Sequence, residues 1–307
     1  MEPIVSVICI TRNHERFCIE SLDSVLNQTY KNIEWIILDA SSTDNTVELI
    51  DNWLVENNIQ AVFLKEKELK PITVNLNIAM THAHGEYVQF LSLDDVLVLD
   101  KITLQVNEFK NLDSTYVCIY TDSQVINENS ELICESGADW YKSINKKMES
   151  FPDGSLNVFN ELCKGNFTSM LTMLFRLDAI NNIGGFDEKL SYEDHDLHLR
   201  LTRTFKYKYF DIQTIRYRIH SNNLHKNKKS FHQLRDEVLI FYKHLDTMSG
   251  RKAFLTRLKT LLRKFNNLKE LKYISKHTLI PYSLLIMLKV SINFKTYINI
   301  KILNHQK

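Results

Sequence analysis

Glycine is scarce in this chain: 307 residues hold only seven, at positions 85, 137, 154, 165, 184, 185 and 250. None lies in the first turn after the opening strand pattern, Ile10-Thr-Arg-Asn-His-Glu-Arg16. The chain therefore has neither a GxGxxG fingerprint nor a phosphate-cradling P-loop. That argues against a dinucleotide dehydrogenase or a P-loop kinase, and equally against an enzyme needing an early basic, glycine-rich phosphate loop. If a nucleotide binds, side chains and a metal must do much of the holding. Cysteine is also sparse, with five residues (Cys9, Cys18, Cys118, Cys134, Cys163) and no CxxC pair. This usage fits a reduced compartment and speaks against a zinc cluster. The opening Met1-Glu2-Pro3-Ile4-Val5 runs straight into a strand pattern without a basic n-region, so the expected location is cytoplasmic. The stretch Leu279 to Leu288, apolar except for Ser283, is too short to span a bilayer.

What is present is ordinary globular material, 44% hydrophobic and 24% charged, enough for one large domain or one and a half. The formal net charge of +1 hides an asymmetry. Residues 226–307 carry 18 Lys and Arg against 4 Asp and Glu, while the first 225 residues carry 20 against 33. An acidic globular part thus precedes a basic tail. Leu255, Leu258, Leu261, Leu262, Phe265 and Leu268 recur in that tail at helical spacing. A basic amphipathic segment binds anionic membrane surfaces; the simpler alternative is a set of helices packing on the domain with their lysines in water.

The first hundred residues alternate between two periodicities. Val5–Ile10, Ile33–Leu38, Ala61–Leu64 and Tyr87–Leu91 read as short buried strands. Helical patterns run from Glu15 to Leu26, from the Ser41-Ser42-Thr43-Asp44 start signal through Val47, Ile50 and Trp53, from Pro71 to about His82, and from Asp100 to Asn111. Strands alternating with helices predict an α/β fold built on a doubly wound, mostly parallel sheet with helices on both faces. The basic tail is expected to be helical.

The strand Gly85-Glu-Tyr-Val-Gln-Phe-Leu-Ser-Leu-Asp94-Asp95 stops abruptly at two carboxylates. Burying ionised aspartates is costly, so they belong at the strand's exit beside a cation or polar ligand. In open α/β sheets that edge is where ligands bind, and a carboxylate pair there suits a divalent metal shared with a phosphate. Taken alone, the pair also suits a plain polar turn.

Three pieces then line up in order: Val5-Ser-Val-Ile-Cys-Ile-Thr11-Arg-Asn13; Ile36-Ile-Leu-Asp39-Ala-Ser-Ser42-Thr-Asp44 with the Asp94–Asp95 strand; and Gly184-Gly-Phe-Asp187-Glu188 followed by Tyr192-Glu193-Asp194 and Leu197 to Arg200. Over residues 4–225 this closely resembles the family 2 glycosyltransferases, inverting nucleotide-sugar-dependent enzymes with a GT-A fold. The resemblance implies that Thr11, Asn13 and Asp39 line the nucleotide pocket, with Asp39 accepting from a uracil-like ring N–H. It implies that Asp94 is the last acid of a DxD-type motif holding Mn2+ or Mg2+ against the donor diphosphate, with Asp95 and Ser92 beside it. Asn77 matches an asparagine often near the donor, and His220 a histidine near the donor or metal in many relatives. Asp194 matches the general base, with Glu193 next to it.

Each residue also has a plainer reading. Asp39 suits a turn cap, Asp95 a capping or supporting group, and Glu193 and Asp194 the first turn of a helix, where the dipole favours acids. A lone His220 suits a structural role, Phe186 suits packing, and Arg200 suits a pair with Asp196 one turn away. Departures from the family pattern bear on the site too. Ser92 replaces the first acid of the DxD-type motif, Ala40 and Ser41 replace the usual Asp-Gly after Asp39, and Leu76 and Ala79 replace a basic residue and a glycine around Asn77.

The resemblance implies three regions: 1–100 as the nucleotide-sugar half, 101–225 as the acceptor half, and 226–307 as the basic amphipathic helical region. The expected activity is inverting transfer of one sugar from a UDP- or dTDP-linked donor to a hydroxyl of a glycan or lipid-linked glycan. The expected setting is bacterial surface polysaccharide assembly of the capsule or lipopolysaccharide kind, peripheral on the inner face of the membrane, with no nucleic-acid partner. Specificity is expected in loops such as Asp139–Ser155. The competing reading is an inactive GT-A scaffold subunit, for which Ser92, Ala40 and Leu76 are the best grounds.

Overall fold

The computed structural model describes residues 2–140, 151–167, 169–221, 223, 231–264 and 268–289. Residues 141–150, most of the loop singled out for specificity, lie outside these, as do Phe265 and the chain beyond 289. Two compact units are present, Met1–Asn223 and Leu224–Lys307.

The first unit is built on one nine-stranded sheet whose strands lie in the order Ala61–Lys65, Ile33–Asp39, Val5–Thr11, Tyr87–Ser92, Leu174–Arg176, Tyr116–Asn127, Lys206–Ile219 and Val96–Leu97, with Leu132–Cys134 paired to Tyr116–Asn127. Its opening half follows the sequence pattern closely. Strands β1 (Val5–Thr11), β2 (Ile33–Asp39), β3 (Ala61–Lys65) and β4 (Tyr87–Ser92) alternate with α1 (Cys18–Leu26), α2 (Thr46–Glu56) and α3 (Ile72–Met80). All pairings among these four strands are parallel. The two middle strands read as near-continuous apolar runs because both of their faces are covered. Val5, Val7, Cys9, Ile37 and Leu91 face one core with Leu22 and Val25 of α1, Ile50 and Trp53 of α2, and Ile102 and Phe109 of α4 (Lys101–Phe109). Each such side chain taken from water contributes about 1.5–3 kcal/mol. The alternate residues Ile8, Ile36, Leu38 and Phe90 are buried on the opposite face, where α3 packs against β1 and β2.

Three helix starts differ from the sequence pattern. The first helix begins at Cys18 rather than Glu15, because residues 14–17 form a turn in which the Phe17 and Cys18 N–H groups both donate to the His14 carbonyl. The second begins at Thr46, and Asp44 caps its start by accepting from the Thr46 N–H at 3.0 Å. Pro71 stands just before α3, outside the helix it was expected to open.

Past β4 the sheet becomes mixed. A two-residue strand, β5 (Val96–Leu97), leaves the parallel core and pairs antiparallel with β9 (Lys206–Ile219). Strand β8 (Leu174–Arg176) runs antiparallel between β4 and β6 (Tyr116–Asn127), and β6 pairs with β9 in a long parallel ladder. Strand β7 (Leu132–Cys134) forms a hairpin on β6. Helices α5 (Leu156–Lys164), α6 (Leu177–Asn182) and α7 (Asp194–Leu201) complete the unit.

The second unit is helical, as the tail's periodicity predicted: α8 (Phe231–Tyr242), α9 (Met248–Lys264), α10 (Leu268–His277) and a further helix over 282–289. Its interior joins Phe241, Phe254, Leu258, Leu261 and Leu262, all buried, with an Arg257–Glu237 ion pair at 3.2 Å. No helix among the described residues is long and apolar enough to cross a membrane.

Candidate active site

Register brings the site together. Thr11 of β1 lies opposite Asp39 of β2, and Ile10 lies opposite Ser92 of β4. The carboxyl ends of three parallel strands therefore open onto one crevice. At its β1–β2 side the two loops are stitched to each other. Asn13, held at φ +56°, accepts from the Thr43 N–H at 2.8 Å, and its own N–H donates to Ser42 Oγ at 2.8 Å. Asp39 is buried and accepts from the Ser42 N–H at 2.9 Å and from the Ser42 hydroxyl. It thus caps its own turn, and each carboxylate oxygen keeps lone-pair capacity for a second donor. Thr11 Oγ1 is buried without a hydrogen-bond partner among the described residues.

Strand β4 ends in a tight turn, with the Asp95 N–H donating to the Ser92 carbonyl at 3.0 Å, and the chain then crosses to β9. The turn divides the carboxylate pair. Asp95 points into the protein, where its Oδ1 accepts the Arg218 N–H at 2.7 Å; burial first, and then the charge of Asp94, push its pKa well up. Asp94 faces the crevice. Its Oδ2 is 3.0 Å from His220 Nε2 and 3.9 Å from His14 Nε2, while its Oδ1 is buried and has no partner among the described residues. Burial works to raise the Asp94 pKa. The His220 hydrogen bond, the neighbouring His14 and the Ser92 hydroxyl outweigh it, so the carboxyl lies below its usual range and stays ionised. Burial lowers the His14 pKa despite the nearby Asp94 charge, favouring a neutral ring able to coordinate a cation.

Arg218 holds this corner. Its guanidinium is fully buried and donates to the Asp94 carbonyl at 2.7 Å, to Ser130 Oγ at 2.8 Å and to Glu20 at 2.6 Å, and it lies 4.8 Å from the Phe17 ring centre. One planar fork therefore ties the β4 exit to α1 and to the β6–β7 hairpin.

The second acidic pair sits at the start of α7, the position its plainer reading expected. Glu193 precedes the helix and Asp194 is its first residue. Asp194 accepts from Asn166 Nδ2 at 2.5 Å and from the His195 N–H at 2.6 Å. Burial and the adjacent Asp194 charge push Glu193 up to about 8, and burial also raises Asp194. Tyr217 lies near both acidic clusters: burial first, and then the charges of Asp95, Asp94 and Asp194, raise its phenol pKa.

Asn77, the asparagine expected near the donor, is engaged in local hydrogen bonds. Its Oδ1 accepts the Phe186 N–H at 2.9 Å, and its Nδ2 donates to the Phe186 carbonyl at 3.0 Å and to Glu188 at 2.9 Å. The amide is occupied in stapling the Gly184–Glu188 turn. Arg200 clamps the same turn through the Ile183 and Gly185 carbonyls while pairing with Asp196 at 2.7 Å. Phe186 packs edge-on against Phe90, ring centres 5.6 Å apart, and Leu76 and Ala40 are buried.

Four members of the site escaped the sequence reading: Arg218, His14, Asn166 and Tyr217. Arg218 lies near the end of β9 and His220 just past it, two residues apart, so extended spacing could have placed Arg218 on the same face as His220. His14 lies in the same polar turn as Asn13. Asn166 and Tyr217 carry no local signal. Among the described residues no group of three His, Cys, Asp or Glu side chains is placed to hold a metal ion by itself. The unpartnered Asp94 Oδ1 beside two imidazoles fits a cation that takes its other ligands from phosphate and water.

Comparison with known proteins gives the chain's relatives and fold. The chondroitin synthase of Pasteurella multocida strain Pm70 is 30% identical over 225 residues, which cover 72% of this chain and 21% of that protein. The hyaluronan synthase of Pasteurella multocida matches to the same extent, so the chain spans about a fifth of the length of these two relatives. An uncharacterized glycosyltransferase of Rickettsia prowazekii is 31% identical over 222 residues, covering 71% of this chain and 65% of its own length. Among solved structures, S. aureus TarS 1-349 in complex with UDP-GlcNAc superposes with a TM-score of 0.61 at 16% identity, covering 90% of this chain and 81% of that one. The mannosyltransferase PcManGT of Pyrobaculum calidifontis, in complex with GDP-Man and Mn2+, gives 0.59 at 17% identity, covering 96% and 81%. These likenesses establish the GT-A fold. Residues 6–183, well over half of the chain, match the family described as Glycosyl transferase family 2, and the chain belongs to that family.

Proposed function

We propose that the chain is an inverting glycosyltransferase that moves one sugar from a UDP- or dTDP-linked donor to a hydroxyl of a glycan or lipid-linked glycan in bacterial surface polysaccharide synthesis. One observation carries the reading: Thr11 Oγ1, Asp94 Oδ1 and His14 Nδ1 are buried, unpartnered polar atoms along a single sheet edge. Buried polar atoms are rarely left unsatisfied, and three at one crevice point to a polar ligand. Residues 1–100 supply the donor side and 101–225 the acceptor side.

Asp39 accepts the ring N–H of uracil or thymine, with Thr11 and Asn13 shaping the pocket. Asp94 holds Mn2+ or Mg2+, with His220 and His14 beside it and Asp95 supporting the turn. A cation there would neutralise the charge that develops on the departing diphosphate. Asp194, oriented by Asn166, takes the proton of the acceptor hydroxyl as the new bond forms, and Glu193 carries the extra proton of the acidic pair. With a single base on the face opposite the leaving group, one displacement inverts the anomeric centre. The Mn2+ in PcManGT and the UDP-GlcNAc in TarS support this assignment by analogy of fold.

The test is a thermal-shift screen of nucleotide-sugars with and without Mn2+, followed by transfer and donor-hydrolysis assays. A UDP- or dTDP-sugar should stabilise the protein only with metal. Asp194→Asn should cut transfer about 10²–10⁴-fold while leaving donor binding intact. The scaffold reading draws on Ser92 in place of an acid; it requires that no donor and no metal give any stabilisation or hydrolysis.

A further inference from the structure

We propose that the outward face of α9 is a docking surface for an anionic lipid bilayer. This narrows the membrane contact expected of the tail to one set of side chains, and it does not depend on the donor chemistry. Helix α9 contains six basic residues and no acid. Arg257 is turned inward, pairing with Glu237 and lying 5.4 Å from the Phe241 ring centre. Arg251, Lys252, Lys259 and Arg263 are exposed, and none pairs with a carboxylate among the described residues. Two large apolar side chains share their face: Met248 is 82% exposed and Leu255 62%.

At 100° per residue these six side chains fall within an arc of about 120°. One other residue of the helix, Leu262, shares that arc and is buried. Leu255 belongs by sequence spacing to the apolar stripe that continues through Leu258 and Leu261, both buried, yet it projects outward between cations. Cations in water gain nothing from an exposed leucine between them. At a bilayer surface the arrangement is favourable: the leucine and methionine enter the headgroup–acyl boundary while the Lys and Arg stems extend to lipid phosphates. The same pattern disfavours a second copy meeting this one through the same face, since like charges would be juxtaposed. The acidic first unit of another copy remains the competing occupant, and the experiment separates the two.

The 307-residue chain is floated with vesicles of phosphatidylglycerol and phosphatidylcholine in equal parts, and with vesicles of phosphatidylcholine alone. Binding is expected to the anionic vesicles and to weaken as salt rises. The triple variant Lys252→Gln/Lys259→Gln/Arg263→Gln should lower the partition coefficient about a hundredfold, on the order of fivefold per charge removed. Leu255→Ser should lower it about tenfold or more with every charge retained. All the altered side chains are exposed, and an unchanged melting temperature confirms that the fold survives. Equal binding to both vesicle types, or no binding to either, overturns the proposal. So does a triple variant that keeps its vesicle binding but loses self-association in sedimentation velocity, since that result assigns the face to a second copy. Donor hydrolysis measured on the same samples should be unchanged by these substitutions. Loss of hydrolysis in the wild type with vesicle binding intact would defeat the transferase reading and leave this one standing.

Discussion

Asp94 and Asp95 are neighbours with the same side chain and opposite situations. One faces two imidazoles with an oxygen unsatisfied; the other turns inward onto the Arg218 backbone. Sequence could mark the pair but could not divide it by itself, because the division depends on a turn and on a strand more than a hundred residues away. The legible acids were those embedded in local patterns: Asp39 at a strand end, Asp94 after an apolar run, and Asp194 before a helix. Asn166, which orients Asp194, comes from a separate loop with no periodicity to betray it. The acidic pair makes a pH prediction at this scale. Burial and the Asp194 charge raise Glu193 from its ordinary 4.5 to about 8. Between those values the folded protein holds a proton that the unfolded chain has released, so stability falls as pH rises through that window. Glu193→Gln fixes the neutral form. Melting curves at about pH 5 and about pH 9 should therefore show a smaller loss for the variant than for the wild type, and an equal loss would remove Glu193 as the proton carrier.

At the scale of elements, two supports hold the site in shape. The first is the Gly184–Glu188 turn, where Gly185 adopts φ +68° and an added Cβ would come 2.7 Å from Asn77 Oδ1. Gly185→Ala should cost about 1–2 kcal/mol from the left-handed backbone, and more if Asn77 is displaced. Urea unfolding measures this, and a neutral result would show the turn to be slack. The second support is Arg218, which joins β9 to the β4 exit, α1 and the β6–β7 hairpin. Arg218→Met strands several buried acceptors and should cost on the order of 3 kcal/mol. Under conditions where the variant remains folded, it should also weaken metal-dependent nucleotide binding, because the Asp94 turn loses its anchor. Intact binding would confine Arg218 to stability alone. The parallel β1–β4 half was readable because its strands are short apolar runs bounded by clear helix signals. The mixed half was not: β6 and β9 are long, their partners are distant in sequence, and β8 inserts between β4 and β6 with three residues.

For the whole molecule, charge separates the two units. The acidic first unit carries the crevice with the ionised Asp94, and the basic second unit carries a cationic helix face with apolar side chains among its charges. Composition showed that division plainly, since 18 of the 38 basic residues fall after position 225. It could not show which basic residues are spent internally, as Arg257 is on Glu237. The central claim is a donor site in which Asp94 holds a cation against a nucleoside diphosphate. Calorimetric titration of UDP into the wild type, Asp94→Ala and Asp194→Asn, each with and without Mn2+, tests it most directly. The account predicts binding that requires Mn2+ in the wild type, is lost in Asp94→Ala and is retained in Asp194→Asn. UDP binding of equal strength without metal, or in Asp94→Ala, would contradict it.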